Sequence, residues 1–118
     1  MERKRFRPDQ RLRSGAQFSH VYQQGRRLGN ELFSANVCAN DLPQARLGLS
    51  VAVRAAGSAV LRNRWRRMIR DSFRLHQALL PGVDIVVGTR PLLRKADNAA
   101  IHASLQRLWN KIANECAR

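Results

Sequence analysis

Val60-Leu-Arg-Asn-Arg-Trp-Arg-Arg-Met-Ile-Arg-Asp-Ser-Phe-Arg74 is the stretch around which the rest of the chain is read. Arg62, Arg66, Arg70 and Arg74 recur at every fourth position, which on an α-helix stacks their guanidinium groups into one stripe. Asn63 and Arg67 flank the stripe, and Arg64 lies further round. Leu61, Trp65, Met68, Ile69, Ser72, Leu75 and Leu79 form a second arc nearly opposite, so the spacing predicts an amphipathic helix with that arc against a core. Like charges at i,i+4 repel by a few tenths of a kcal/mol, so the three pairs together cost roughly 1 kcal/mol. No glutamate within a turn relieves them, and Asp71 lies on another face. A helix that carries such repulsion points to an anionic partner, and a phosphate backbone is the one best matched to a row of arginines.

Upstream of this helix, Ala55-Ala-Gly-Ser58 is a connection with Ser58 placed to cap. Before it, Arg46 to Arg54 alternates: Leu47, Leu49, Val51 and Val53 share one side, and Arg46, Gly48, Ser50, Ala52 and Arg54 the other. Leu32 to Ala39 alternates too, with Phe33, Ala35 and Val37 on one face, and Asn40-Asp-Leu-Pro-Gln44 is turn chemistry. The two runs read as an antiparallel hairpin with one apolar face and one shallow, polar, open face. Residues 26–30 suggest a very short edge strand. Ser14-Gly-Ala-Gln17 is a capping box that starts a helix over 14–24, with Phe18, Val21 and Tyr22 at helical spacing and Gly25 as the stop. Residues 1–13 are an arginine-rich lead, read as a solvated tail or as a tail that orders on RNA.

Downstream, Pro81-Gly82 ends the arginine helix, and Val83 to Thr89 reads as a buried strand centred on Ile85, Val86 and Val87. Residues 91–95 are a loop. Asp97 caps a last helix with Ile101, Leu105, Leu108, Trp109 and Ile112 on one side. The order is α-β-β-β-α-β-α, an α+β sandwich of helices on a small sheet, and the length of 118 residues fits one domain, 1–118.

Composition narrows the partner. The chain has 22 Lys+Arg against 8 Asp+Glu, a formal net charge of +14, and only Lys4, Lys95 and Lys111 are lysine. Nucleic acid fits that balance, with an anionic membrane surface as the rival. A membrane helix would need its apolar face for lipid, and here the core claims it. A DNA-recognition helix would want a partner helix one short turn upstream, where strands are read instead. RNA remains, since arginine forks onto phosphate and stacks on bases. No stretch looks like a membrane span or a secretory signal, so a soluble, cytoplasmic protein is expected. Cys38 and Cys116 read as a reduced pair, and His20, His76 and His102 make no zinc-ligand spacing with them.

Chemistry is harder to find. The acids are scattered, and no pair clusters for metal-assisted phosphodiester hydrolysis. Asp84 reads as a satisfied strand-end acid, with a role at a hydrated cation as the alternative. Trp65 and Trp109 read as core. Phe18 and Tyr22 read either as core or as a stacking platform for unpaired bases, Tyr22 being the more accessible.

At Arg62-Asn63-Arg64 the chain resembles the bacterial ribonuclease P protein subunit. The match extends over Arg54…Gly57…Ala59…Arg62-Asn-Arg-Trp-Arg-Arg-Met-Ile-Arg70…Phe73, Arg46-Leu-Gly-Leu-Ser-Val51, Leu80-Pro-Gly-Val-Asp-Ile-Val-Val87 and Arg11-Leu-Arg…Phe18…Val21-Tyr22…Gly25. The resemblance implies a two-layer fold similar to the second domain of ribosomal protein S5, with a left-handed β-α-β crossover carrying the arginine helix. It implies a role in 5′ maturation of precursor tRNA, in which the RNA subunit cuts with Mg²⁺ and a single protein supports it. Arg54, Arg62, Asn63, Arg64, Arg66, Arg67 and Arg70 match the face that docks on the catalytic RNA. Arg11, Arg13, Phe18, Tyr22, Asn36, Arg46, Ser50 and Arg90 are assigned to a cleft for the single-stranded 5′ leader. Val53, where many members have a basic residue, and Asn36, where some have an aromatic, depart from the pattern. The alternatives are a general or ribosome-associated RNA-binding protein, and a protein-only nuclease that the scattered carboxylates disfavour.

Overall fold

The structure, a computed structural model, describes residues 10–51 and 58–116. The elements run α1 (Gly15–Gln24), β1 (Arg26–Gly29), β2 (Phe33–Ala39), β3 (Arg46–Ser50), α2 (Ala59–His76), β4 (Val83–Thr89) and α3 (Asn98–Cys116). Short 3₁₀ turns occupy Gln77–Leu79 and Pro91–Lys95. This is the α+β order expected.

Local chemistry sets the boundaries. Ser14 Oγ accepts the Gln17 N–H at 3.2 Å, and Gln17 Oε1 accepts the Ser14 N–H at 3.1 Å, so the capping box forms. Gly25 ends α1 because of space, not because of a left-handed backbone. Its φ is −86°, and a Cβ there would stand 2.4 Å from the Val21 carbonyl oxygen. Ser58 Oγ caps α2 through the Leu61 N–H at 3.1 Å, and Asp97 caps α3 through the Ala100 N–H at 2.8 Å.

The sheet has the order β1-β2-β4-β3. The expected hairpin of β2 with β3 is not there: β4 lies between them, antiparallel to β2 and parallel to β3. The reason is burial. Every residue of β4 from Val83 to Gly88 is buried, and a strand apolar on both sides belongs where both sides are covered. The half-apolar strands β2 and β3 take its flanks, with Ile85 opposite both Val37 and Leu47. The basic lead also differs from a tail over its last residues. Arg11 bridges Leu47 in parallel, the Leu12 N–H donates to the Leu47 carbonyl at 3.0 Å, and Gln10 and Leu12 are buried.

Two cores flank the sheet. The larger joins Phe33, Ala35, Val37, Leu47, Ile85 and Val87 to Trp65, Ile69 and Phe73 of α2 and to Ile101, Leu105, Leu108, Trp109 and Ile112 of α3. Phe73 and Trp109 meet edge to face at 5.8 Å, and the Trp109 indole N–H donates to Ser72 Oγ at 2.8 Å. The smaller core, Leu12, Val21 and Val86 with Phe18 and Cys38 against it, seats α1 on the opposite face. Asn30 ties the β1–β2 turn to α3: its Oδ1 accepts the Leu32 and Phe33 N–H groups and the Ser104 hydroxyl, and its Nδ2 donates to the Ser104 carbonyl.

Candidate nucleic-acid interface

Core packing fixes how α2 is turned. Trp65, Ile69, Ser72 and Phe73 are its buried positions. Leu75 and Leu79, expected in the core, are 54% and 56% exposed. Two causes explain this. Trp109 draws Ser72 and Phe73 inward, and roughly 200° separates Phe73 from Leu75 at about 100° per residue. The helix also tightens to 3₁₀ at Gln77, so α-helical spacing no longer places Leu79.

The arginine stripe therefore lies on a shoulder of the helix beside the buried arc, not opposite it. Arg62 and Arg66 are half-buried, while Asn63, Arg64, Arg67 and Arg70 are exposed. Among the described residues, the ion pairs are Arg26–Glu115, Arg46–Asp84 and Arg107–Glu31, and none uses Arg62, Arg64, Arg66, Arg67 or Arg70. Arg64 bonds the Asn98 side chain. Arg62 Nε is buried with no acceptor among the described residues. Burial, then the nearby charges of Arg11 and Arg66, pull the Arg70 guanidinium below its ordinary pKa. A row of partly desolvated, mutually repelling guanidinium groups is stabilised by anions more than by water. Arg54 and Val53 lie outside the described residues.

The opposite face of the sheet carries α1. Phe18 packs so closely over Gly48 that a Cβ there would stand 2.7 Å from its ring, which makes Phe18 part of the smaller core. Tyr22, one turn on, is 49% exposed. Beside it opens a trough of about 460 Å³ lined by Tyr22, Arg27, Ser34, Asn36, Ser50 and Thr89. Tyr22, Asn36 and Ser50 are thus brought together as expected. Arg27 was missed in the sequence, although it stands directly opposite Asn36 in the β1–β2 ladder, because the pairing register of so short a strand is not written in its own residues. Arg90 is exposed just beyond Thr89, and its Nε donates to the Phe33 carbonyl at 3.2 Å.

Arg11, Arg13 and Arg46 do not join this trough. They line a separate pocket at the start of β3, about 13 Å from Ser50 along the strand at ~3.3 Å per residue. Arg46 is committed within the protein: its Nε and NH2 donate to Asp84 Oδ1 and Oδ2 at 2.8 and 2.7 Å. That hydrogen bonding raises its pKa against the opposing effect of burial. Asp84, 4% exposed, also accepts from Asn40 Nδ2 at 2.9 Å and so is the satisfied strand-end acid anticipated. Cys38 and Cys116 are free thiols, each pushed above its ordinary pKa chiefly by burial. Among the described residues, no group of three or more His, Cys, Asp or Glu is placed to hold a metal ion.

An exposed arginine helix on one face of an α+β sheet and a polar trough with one open aromatic on the other define a class, the small basic RNA-binding proteins. The particular family follows from comparison. A family model described as Ribonuclease P matches residues 6–113, and the chain belongs to that family. It is 40% identical over 107 residues to the ribonuclease P protein component of Thioalkalivibrio sulfidiphilus, covering 91% of this chain and 89% of that one. It is 37% identical over 106 residues to that of Yersinia enterocolitica, covering 90% and 89%. Among solved structures it resembles the Staphylococcus aureus RNase P protein at 31% identity and TM-score 0.81, over 86% of this chain and 94% of that one. The Thermotoga maritima RNase P protein matches at 32% identity and TM-score 0.79, over 86% and 96%. Membership implies a component of an endoribonuclease ribonucleoprotein in tRNA processing, with the ribonuclease P RNA and precursor tRNA as partners. No helix among the described residues is long and apolar enough to cross a membrane.

Proposed function

We propose that the protein docks on the catalytic RNA of ribonuclease P through α2 and holds the single-stranded 5′ leader of precursor tRNA in the trough beside Tyr22, so that Mg²⁺-dependent removal of the leader is favoured. The observation that carries this reading is the α2 face, where, among the described residues, five arginines have no ion-pair partner and the buried Nε of one of them, Arg62, has no acceptor. Phosphates supply the missing acceptors and charge. The trough supports the second half: Tyr22 offers a stacking face, Arg27 a charge, and Asn36, Ser34 and Ser50 polar groups that follow a strand with little sequence preference. Phosphodiester cleavage is assigned to the RNA subunit, and Mg²⁺ to its phosphates. By neutralising some of those phosphates, the arginines lower the Mg²⁺ concentration the RNA needs to fold and react. The protein acts as a cytoplasmic monomer, one per RNA.

The test is cleavage of precursor tRNA at low Mg²⁺ by protein alone, RNA alone and both. Only the combination is expected to cut efficiently. Cutting by protein alone would make it a nuclease in its own right. No gain on adding protein to RNA would reduce it to a general RNA-binding protein.

A further inference from the structure

We infer that the pocket bearing Arg11 and Arg13 is a second phosphate-binding site, continuous with α2 and filled by a nucleotide of the RNA subunit, not by the 5′ leader. The inference rests on the reading just given. The pocket, about 620 Å³, lies between the N-terminal segment, the start of α1 and the β2–β3 turn, with Gln17 and Gln44 beside the arginines and Leu42 and Pro43 as an apolar surface. Among the described residues, no carboxylate lines it. An apolar patch next to paired guanidinium groups suits a nucleotide, the base on the patch and the phosphate on the fork.

The site is held ready. Asn40 Oδ1 accepts the Leu42 N–H at 2.8 Å, and Asn40 Nδ2 donates to the Gln44 carbonyl at 3.1 Å and to Asp84, so the turn is pinned. The backbone N–H of Arg13 donates to Gln17 Oε1 at 2.6 Å, and the bridge of Arg11 to Leu47 fixes the other side. Arg46, held by Asp84, completes the wall.

Two facts assign the occupant. The trough opens where β3 and β4 end, near Ser50 and Thr89, whereas the pocket opens where β3 begins, near Gln44 and Arg46. Between them Phe18 is pressed onto Gly48, so a strand in the trough cannot pass under α1 into the pocket. Toward the other side there is continuity: the Gln10 side chain, next to Arg11, donates to the Gln77 side chain at the end of α2, and the charge of Arg11 acts on Arg70, so the pocket and the α2 stripe share one positive field.

The experiment compares wild type with Arg11→Ala/Arg13→Ala, with Arg13→Lys as the charge-preserving control and thermal melting as the check on folding. Affinity is measured for the ribonuclease P RNA subunit over a salt series, and then for precursor tRNA against leaderless tRNA on each holoenzyme. The double variant is expected to bind the RNA subunit about ten- to a hundredfold more weakly, the effect of losing one charge-assisted contact. Its log–log salt slope should be shallower by about 1–2, and its preference for leader-bearing tRNA unchanged. Arg13→Lys, which keeps the charge and loses the fork, should bind with an affinity between those of wild type and the double variant. Equal RNA affinity in wild type and double variant would overturn the inference, as would loss of leader preference with RNA affinity intact. Failure of wild type itself to bind the RNA subunit would instead remove the functional reading beneath it.

Discussion

Ser72 is 7% exposed in a core otherwise aromatic and aliphatic, and its hydroxyl accepts the indole N–H of Trp109. Removing that acceptor strands a buried donor, so Ser72→Ala is expected to destabilise the fold by about 1–3 kcal/mol. Trp109→Phe, which removes the donor too, should make the pair strongly non-additive in urea unfolding. Independent, additive losses would show that the bond contributes little. Ser72 was legible from the sequence only as a member of an arc. What it holds was not, because its partner lies 37 residues away on another helix. Phe18 and Tyr22 make the same point. Helical spacing gave them one face in common, but it could not show that Gly48 leaves a hollow that one ring fills while the other stays 49% exposed.

The helix α2 was the most legible element and still had to be corrected. Its capping serine, its tryptophan in the core and its arginine row all stand where periodicity put them. Its rotation did not follow, because the buried arc is decided by what packs against it, here Phe73 and Ser72 on Trp109. The β2–β3 pairing failed for a related reason: strand adjacency in sequence is a short-range signal, whereas the demand of β4 for cover on both faces is global. The rotation has a measurable consequence. Arg62 and Arg66 are half-buried, so their stems contribute packing, yet every i,i+4 arginine pair on this face is repulsive. Replacing Arg62, Arg66 and Arg70 by alanine removes about 1 kcal/mol of repulsion and some stem packing, and alanine favours helix. The triple variant is expected to stay folded, with stability within about 1 kcal/mol of wild type, while affinity for the ribonuclease P RNA falls at least a hundredfold and the salt slope flattens by roughly 2–3. Circular-dichroism melting and a binding titration on the same samples decide it. Undiminished RNA affinity would move the docking face elsewhere.

A net charge of +14 on 118 residues, with three ion pairs among the described residues, sets the behaviour of the molecule as a whole. Self-repulsion opposes compactness, and Arg11 and Arg66 both act on Arg70 in this way. Any anion that binds the folded chain and not the unfolded one stabilises it by RT ln(1 + [L]/Kd), about 2.7 kcal/mol at a hundred times Kd. Simple screening by salt relieves repulsion too, but it does not distinguish sulfate from chloride at equal ionic strength. Divalent tetrahedral oxyanions, by contrast, offer the acceptors that a row of guanidinium groups needs. Millimolar sulfate or phosphate is therefore expected to raise the melting midpoint by several degrees over chloride of matched ionic strength, at concentrations where exclusion of sulfate from the protein surface is negligible. The same shift should shrink in the Arg62/Arg66/Arg70 alanine variant. Equal midpoints in sulfate and chloride would mean that the positive field is diffuse and that the folded state carries no defined phosphate sites of its own.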